Sequence, residues 1–243
     1  MTDAQLARFI AEEAGRLLLD LRRASGLTGR ALGEEGDAQA NALILRRLRE
    51  ARPDDAVLSE ESHDDQVRCG CPRVWIVDPL DGTREFAEGR DDWAVHVALS
   101  VERHAAEGAV ALPAAGATFV SDDVRAPHPL PARPRMVVSR SRPPELAMRV
   151  ADAIGAELIP MGSAGAKAMA VARGDADLYL HAGGQHEWDN CAPVAVARAH
   201  GLHASRVDGA ELIYNCPDPR LPDLLICHPN LAERVIGLVR DAS

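Results

Sequence analysis

Apolar positions recur at helical spacing from the start of the chain. Leu6, Phe9, Ile10, Leu17, Leu18 and Leu21 share one face and predict an amphipathic helix over residues 3–22, with Asp3 as its cap. The pattern then breaks: residues 25–36 hold four glycines and read as a loop. Helical spacing resumes with Ala40, Leu43, Ile44 and Leu48, which predicts a helix from about Asp37 to Arg49 with Asp37 where an N-cap would stand. Shorter, β-branched runs follow. Val57-Leu58 and Val74–Val77 read as strands, and Pro79 is expected to stop the second from continuing as a central one. Residues 93–101, 109–112 and 118–120 alternate well enough for three more strands. Residues 121–134 contain four prolines and no period, which marks a boundary. Beyond it the pattern alternates strand and helix. Strands are predicted near 135–139, 156–160, 176–181, 203–206, 211–214 and 223–227, and helices near 144–154, 164–173, 189–200 and 230–240. The fold class is α/β, with an α+β half over residues 1–133 and an α/β half over 134–243.

Composition narrows the possible partners. Apolar residues make up 47% of the 243, but aromatics only 3%, so the core must rest on Ala, Leu, Val and Ile. A net charge of −10 argues against nucleic acid as a partner and means that an anionic substrate needs local positive charge, which bound cations can supply. No apolar run approaches the ~18–20 residues needed to span a bilayer, so no membrane partner is expected. No basic stretch followed by an apolar one marks a signal peptide at the amino terminus. Five scattered cysteines, two of them in Cys69-Gly70-Cys71, point to reduced thiols and a cytoplasmic setting rather than a zinc knuckle.

The chemistry centres on residues 73–86. A buried strand runs abruptly into two acids, Asp78 and Asp81, then Gly82 and Thr83. Gly82 permits a sharp turn, and the free N–H groups after it can receive an anion. Together with Glu60, from the acidic loop Ser59–Asp65, Asp78 and Asp81 offer only oxygen donors, which suits a hard cation such as Mg²⁺. A calcium loop starting at Asp78 fails, because its positions 3, 6 and 12 are Leu80, Thr83 and Gly89. A further acid, Asp189, precedes an Ala/Val-rich helix, where it also reads as an N-cap, and Gly183-Gly184 before it gives a bend. Gly162–Lys167 is a small-residue turn opening a helix. It lacks phosphate-loop spacing, but its N–H groups and Lys167 can hold an anion.

Asp78-Pro79-Leu80-Asp81-Gly82-Thr83, with Glu60-Glu61 before it and Trp188-Asp189 after it, resembles the inositol monophosphatase superfamily of Mg²⁺-dependent, Li⁺-sensitive phosphatases. The resemblance extends over nearly the whole chain. It is nearest to the bacterial CysQ-type branch, through Val137–Ser141 and the Gly162-Ser163 turn before a Lys-bearing helix. The resemblance implies a layered αβαβα sandwich, two or three Mg²⁺ ions, and removal of the 3′-phosphate of 3′-phosphoadenosine 5′-phosphate, a by-product of sulfate activation. It implies Glu60, Asp78, Asp81, Asp189 and the Leu80 carbonyl as metal ligands, with Glu61 behind them. Thr83 and Asp37 would activate water, and the Gly82 and Thr83 N–H groups would hold the phosphate. Ser139, Arg140, Ser163 and Lys167 would contact the rest of the substrate, and a homodimer is implied as well. His181 stands near where the inositol phosphatases place an acid, which disfavours inositol phosphate; the segment from His181 to Trp188 is somewhat longer than theirs, and that from Val101 to Pro134 shorter. Trp93, Tyr179 and Tyr214 can stack on adenine but read better as core, and Trp188 as core or wall. His96 and His186 have no evident activating partner in the sequence, so no phospho-enzyme is expected. An inositol 1-phosphate or fructose 1,6-bisphosphate phosphatase, and a catalytically silent metal- or nucleotide-binding protein, are the competing readings.

Overall fold

The computed structural model describes residues 1–241. Helix α1 (Asp3–Ala24) buries Leu6, Ile10, Ala14 and Leu18 on one face. Its N-cap is Thr2 rather than Asp3. The Thr2 hydroxyl accepts from the Gln5 N–H, and the Gln5 side chain accepts from the Thr2 N–H. The Asp3 carboxylate is engaged elsewhere, by Arg52 and Arg73.

Helix α2 (Gly29–Ala51) starts well before the predicted Asp37, so most of the predicted loop is helical and Asp37 lies inside the helix rather than at its cap. The reason is close packing. A Cβ on Gly33 would sit 2.7 Å from Thr83 Cγ2, and one on Gly36 3.1 Å from both Leu18 and Leu80. These glycines bring α2 against its neighbours, which offsets the ~1 kcal/mol that each costs a helix relative to Ala.

Strands β1 (Ala56–Ser59), β2 (Arg73–Asp81), β3 (Ala94–Val101), β4 (His104–Leu112) and β5 (Ala117–Val120) form one sheet in sequence order. β1 and β2 are parallel, and the other pairs are antiparallel. Contrary to expectation, β2 runs through Pro79. β1 has already left β2 at Val77, and on the β3 side the register shifts between Asp78 and Asp81, so the missing Pro79 N–H falls in a bulge. A short helix, α3 (Thr83–Ala87), follows.

The second sheet has the order β7-β6-β8-β10-β9, from β6 (Arg135–Ser139), β7 (Glu157–Met161), β8 (Leu178–His186), β9 (His203–Ser205) and β10 (Arg220–Cys227). Around it lie α4 (Glu145–Ile154), α5 (Ala164–Ala172), α6 (Glu187–Ala199) and α7 (Pro229–Arg240). The strand expected at 211–214 does not form. Leu212 and Tyr214 are buried, but the Tyr214 N–H pairs with the Arg103 carbonyl in the β3–β4 turn instead of joining a sheet.

Three apolar clusters define the layers. One joins α1 and α2 to the first sheet, one places α5 and α6 between the two sheets, and one joins α4 and α7 to the second sheet. The result is the α-β-α-β-α sandwich. Trp93 and Tyr214 are fully buried within it.

Candidate active site

The bulge at the end of β2 sets the first two acids. Leaving the ladder at Pro79 lets the Leu80 N–H donate to Asp78 Oδ1 at 3.0 Å, and both Asp78 and Asp81 are buried. α6 brings Asp189 to them in its first turn. One oxygen from each of Asp78, Asp81 and Asp189 lies within 4.8 Å of the others. Glu60 follows β1 directly and continues its parallel pairing through its own N–H to the Val77 carbonyl. Its side chain faces the same place, within hydrogen-bonding reach of Asp78.

Crowding these carboxylates shifts their proton affinities. Burial, then Glu60, Asp81 and Asp189, hold the Asp78 pKa well above the usual carboxylate range. Burial and Asp189 push Glu60 up to about 7, and burial and Asp81 push Asp189 up to about 6. Negative charges packed this closely call for a cation. The donors are all oxygen, so the set fits a hard divalent ion.

Asp81 is the exception. Burial alone would raise its pKa, but His96 most of all, and then the donors at the start of α5, hold it below the usual range. It accepts from the Ser163 hydroxyl, the Ala164 N–H at 3.1 Å and the Gly165 N–H at 2.6 Å, all at the start of α5. Ser163 takes a left-handed φ of 49° to do this, and its oxygen also caps α5 by accepting from the Ala166 N–H. His96 Nε2 stands 3.3 Å from Asp81 Oδ2, too poorly aligned for a hydrogen bond, so that contact is electrostatic. Its Nδ1 donates to the Trp188 carbonyl at 2.9 Å. Burial lowers the His96 pKa, but Asp81 and the Trp188 carbonyl outweigh it and leave it raised. Gly165 makes room for this ring, since a Cβ there would meet Nε2 at 2.1 Å. His96 therefore does have a carboxylate partner, although the sequence shows none.

On the other flank, Thr83 Oγ1 donates to the Leu80 carbonyl at 3.1 Å and lies 3.5 Å from Asp37 Oδ1. Burial and Glu61 raise the Asp37 pKa to about 7, against the Thr83 contact. One turn further along α2, Asn41 Nδ2 donates to the Glu61 carbonyl and the Ser62 hydroxyl, and its Oδ1 accepts from Ser59. α2 thus carries Asp37 and also ties down the loop that holds Glu60.

Beside the acids opens a cavity of about 370 Å³ whose lining includes Asp81, Gly82, Ser139, Ser163, His181 and Asp189, together with Arg84, Arg140, Arg142 and Lys167. A larger opening of about 600 Å³ lies on the far side of Arg140 and holds none of the clustered acids. Lys167 Nζ is buried and bonds back to the Gly162 and Ser163 carbonyls, above the Tyr179 ring. Burial lowers its pKa in spite of the surrounding acids. Arg140 pairs with Asp92, which also accepts from the Gly162 N–H at 2.7 Å. His181 Nε2 contacts the Gly183 carbonyl at 2.8 Å. Tyr179 forms part of the wall, and its hydroxyl accepts from Gln185. Trp188 is half-buried against the core and stacks on His186.

The model of the inositol monophosphatase family matches residues 5–126 and 133–243. The chain belongs to the inositol monophosphatase family. A 3′-phosphoadenosine 5′-phosphate phosphatase of Mycobacterium leprae is 50% identical over 99% of this chain and 94% of its own length. The 3′(2′),5′-bisphosphate nucleotidase CysQ of Escherichia coli K12 is 32% identical over 73% of this chain and 77% of its own. Among solved structures, inositol monophosphatase II of Staphylococcus aureus superposes with a TM-score of 0.83 at 19% identity, covering 96% of this chain and 93% of that one. CysQ of Bacteroides thetaiotaomicron gives 0.79 at 27%, covering 93% and 97%.

Inositol monophosphatase family members are metal-dependent phosphatases, and the buried acids of this one form a matching oxygen-donor cluster. Among the described residues, no helix is long and apolar enough to cross a membrane. Sequence reasoning missed His96, Asn41, Asp92 and Arg142. The first three act through partners distant in the chain, and no local spacing signals that. Arg142 stands only two residues past the expected Arg140 and is open to notice as a second cation.

Proposed function

We propose that this protein hydrolyses the 3′-phosphate of 3′-phosphoadenosine 5′-phosphate, using two or three Mg²⁺ ions, to give adenosine 5′-phosphate and inorganic phosphate. The observation that carries the reading is the meeting of Asp78, Asp81 and Asp189 within 4.8 Å, with Asp81 and Asp189 on the wall of a cavity that also presents three arginines and a lysine. A single phosphate would not need so many cations beside a metal site, whereas a substrate with two anionic groups would. The activities named for the Mycobacterium leprae and Escherichia coli relatives point the same way.

In this reading Glu60, Asp78, Asp81, Asp189 and the Leu80 carbonyl hold the ions. When bound, such ions neutralise phosphoryl charge and make water a stronger acid. Asp37, with a pKa of about 7, accepts the proton of the attacking water through Thr83. The water attacks phosphorus in line, the bond from phosphorus to the 3′-oxygen breaks, and that oxygen leaves with a proton from solvent. The Gly82 and Thr83 N–H groups orient the phosphate, since Gly82, at a φ of 91°, turns the chain there. Ser139, Arg140, Ser163, Lys167 and His181 bind the remainder of the substrate. Residues 1–133 thus supply most of the metal site, and residues 134–243 supply Asp189 and most of the cavity's cations. The five cysteines, all unpaired, suit a reducing cytoplasm.

The test is phosphate release from 3′-phosphoadenosine 5′-phosphate, inositol 1-phosphate and fructose 1,6-bisphosphate. The expected kcat/KM favours the nucleotide by about 100-fold or more, the range available when buried polar groups must be matched. Equal or better turnover of either sugar phosphate overturns the assignment.

A further inference from the structure

Arg68 carries a permanent charge and is only 2% exposed. It lies in a 3₁₀ turn, Val67–Gly70, just beyond the loop that bears Glu60. Its guanidinium forks onto Asp64, with Nε to Oδ1 at 3.1 Å and Nη2 to Oδ2 at 2.7 Å. Its other bonds cross to a distant segment, with Nη1 donating to Asn215 Oδ1 at 2.9 Å and Nη2 to the Cys216 carbonyl at 3.0 Å. Asn215 Nδ2 donates back to the Arg68 carbonyl at 3.0 Å. The amides of Asn215 and Cys216 in turn donate to the Glu187 carboxylate, at 2.6 and 2.8 Å. Glu187 is fully buried and stands two residues before Asp189.

This chain of contacts joins the far end of the Glu60 loop to the first turn of α6. None of its members belongs to the acid cluster or lines the substrate cavity. Burying a cation and a carboxylate for stability alone is a poor use of a core, because desolvation offsets much of the attraction and apolar residues pack as well. What the contacts add is direction: a planar fork fixed on one loop reaches a left-handed backbone turn at Asn215, whose φ is 56°.

We propose that Arg68 is a positioning residue that fixes the Glu60 loop relative to Asp189, so that the carboxylates of the two elements are spaced to receive a divalent cation. The inference rests on Glu60 and Asp189 being metal ligands. Asn41 tethers the near end of the same loop and Arg68 the far end. Partners that orient ligands from behind typically change metal affinity by ~10–100-fold when lost.

Arg68→Lys keeps the charge and loses the fork, and Asn215→Ala removes the bonds made by the Asn215 side chain while leaving Arg68 on Asp64 and on the Cys216 carbonyl. Mg²⁺ binding to chelator-stripped protein is measured by calorimetry, alongside melting and turnover. The expected result for both variants is cooperative melting, a Kd for Mg²⁺ raised ~10–100-fold, and kcat at saturating Mg²⁺ within about threefold of the parent. If Arg68→Lys fails to fold, Asn215→Ala carries the same expectation alone. Wild-type affinity in a folded variant overturns the proposal, as does a loss of kcat that saturating Mg²⁺ does not restore. A parent protein that binds no divalent cation instead brings down the reading of the acids as ligands, and this inference with it.

Discussion

Asp37 and Thr83 show how a residue's role depends on which element carries it. As a cap, Asp37 would spend its carboxylate on backbone N–H groups. Inside α2 it is free to face Thr83, and burial beside Glu61 gives it a pKa of about 7, suited to accepting a proton near neutrality. Asp37→Asn keeps the shape and removes the base. It is expected to lower kcat by ~10²–10⁴-fold, the range for a positioned proton acceptor, while Mg²⁺ affinity by calorimetry stays within about threefold. Near-parental kcat in the Asp37→Asn variant removes Asp37 from the proton path. At this scale the sequence is most legible where chemistry is written in residue type: acids beside a glycine turn lead directly to Asp78 and Asp81. It is silent on His96, whose place in an alternating strand gives no hint that Asp81 lies 3.3 Å away.

At the scale of elements, β2 and α2 depart from the expected bounds for one reason. Pro79 and the glycines of α2 are breakers in an isolated segment, but here each serves an approach. Pro79 sits in the bulge that turns Asp78 and Asp81 inward, and Gly33 lets α2 touch Thr83. Gly33→Ala must push α2 and Thr83 apart. A loss of about 1–3 kcal/mol in denaturant unfolding is expected, with kcat reduced because the Asp37–Thr83 contact lengthens. Gly237→Ala, in α7 with nothing within 4 Å of the added carbon, is expected to gain about 0.5–1 kcal/mol. If the two substitutions behave alike, Gly33 is not there for close approach. Tertiary contacts of this kind override local propensity and leave no periodic trace, which is why most helices and strands are legible in the pattern but the start of α2 is not.

For the whole molecule, acid crowding and net charge act together. The raised pKa values of Glu60 and Asp189 mean that the metal-free fold holds protons that the unfolded chain has released between pH ~4 and 7. Their contribution to metal-free stability is therefore fully present below that window and lost as pH rises through it. A bound cation reverses the sign, because it needs the ionised acids. The rise in Tm on adding saturating Mg²⁺ is expected to be small at pH 5.5 and to grow steadily to pH 8. A rise independent of pH would place the ion elsewhere. The α/β class is legible in the alternation of strand and helix patterns, whereas the five-layer order follows only from the family resemblance, because no element's own pattern says which face packs on which neighbour. The meeting of Asp189 with residues some hundred positions earlier is likewise implied by the resemblance alone, since the packing of α6 between the two sheets creates it and no local pattern records that.

The most direct measurement strips the protein with a chelator, supplies 3′-phosphoadenosine 5′-phosphate and follows the products as Mg²⁺ is returned. The account predicts no phosphate release without metal, recovery on adding Mg²⁺, and adenosine 5′-phosphate as the sole nucleotide product. Release that persists in chelator, or formation of the 3′-phosphate isomer instead, would contradict it.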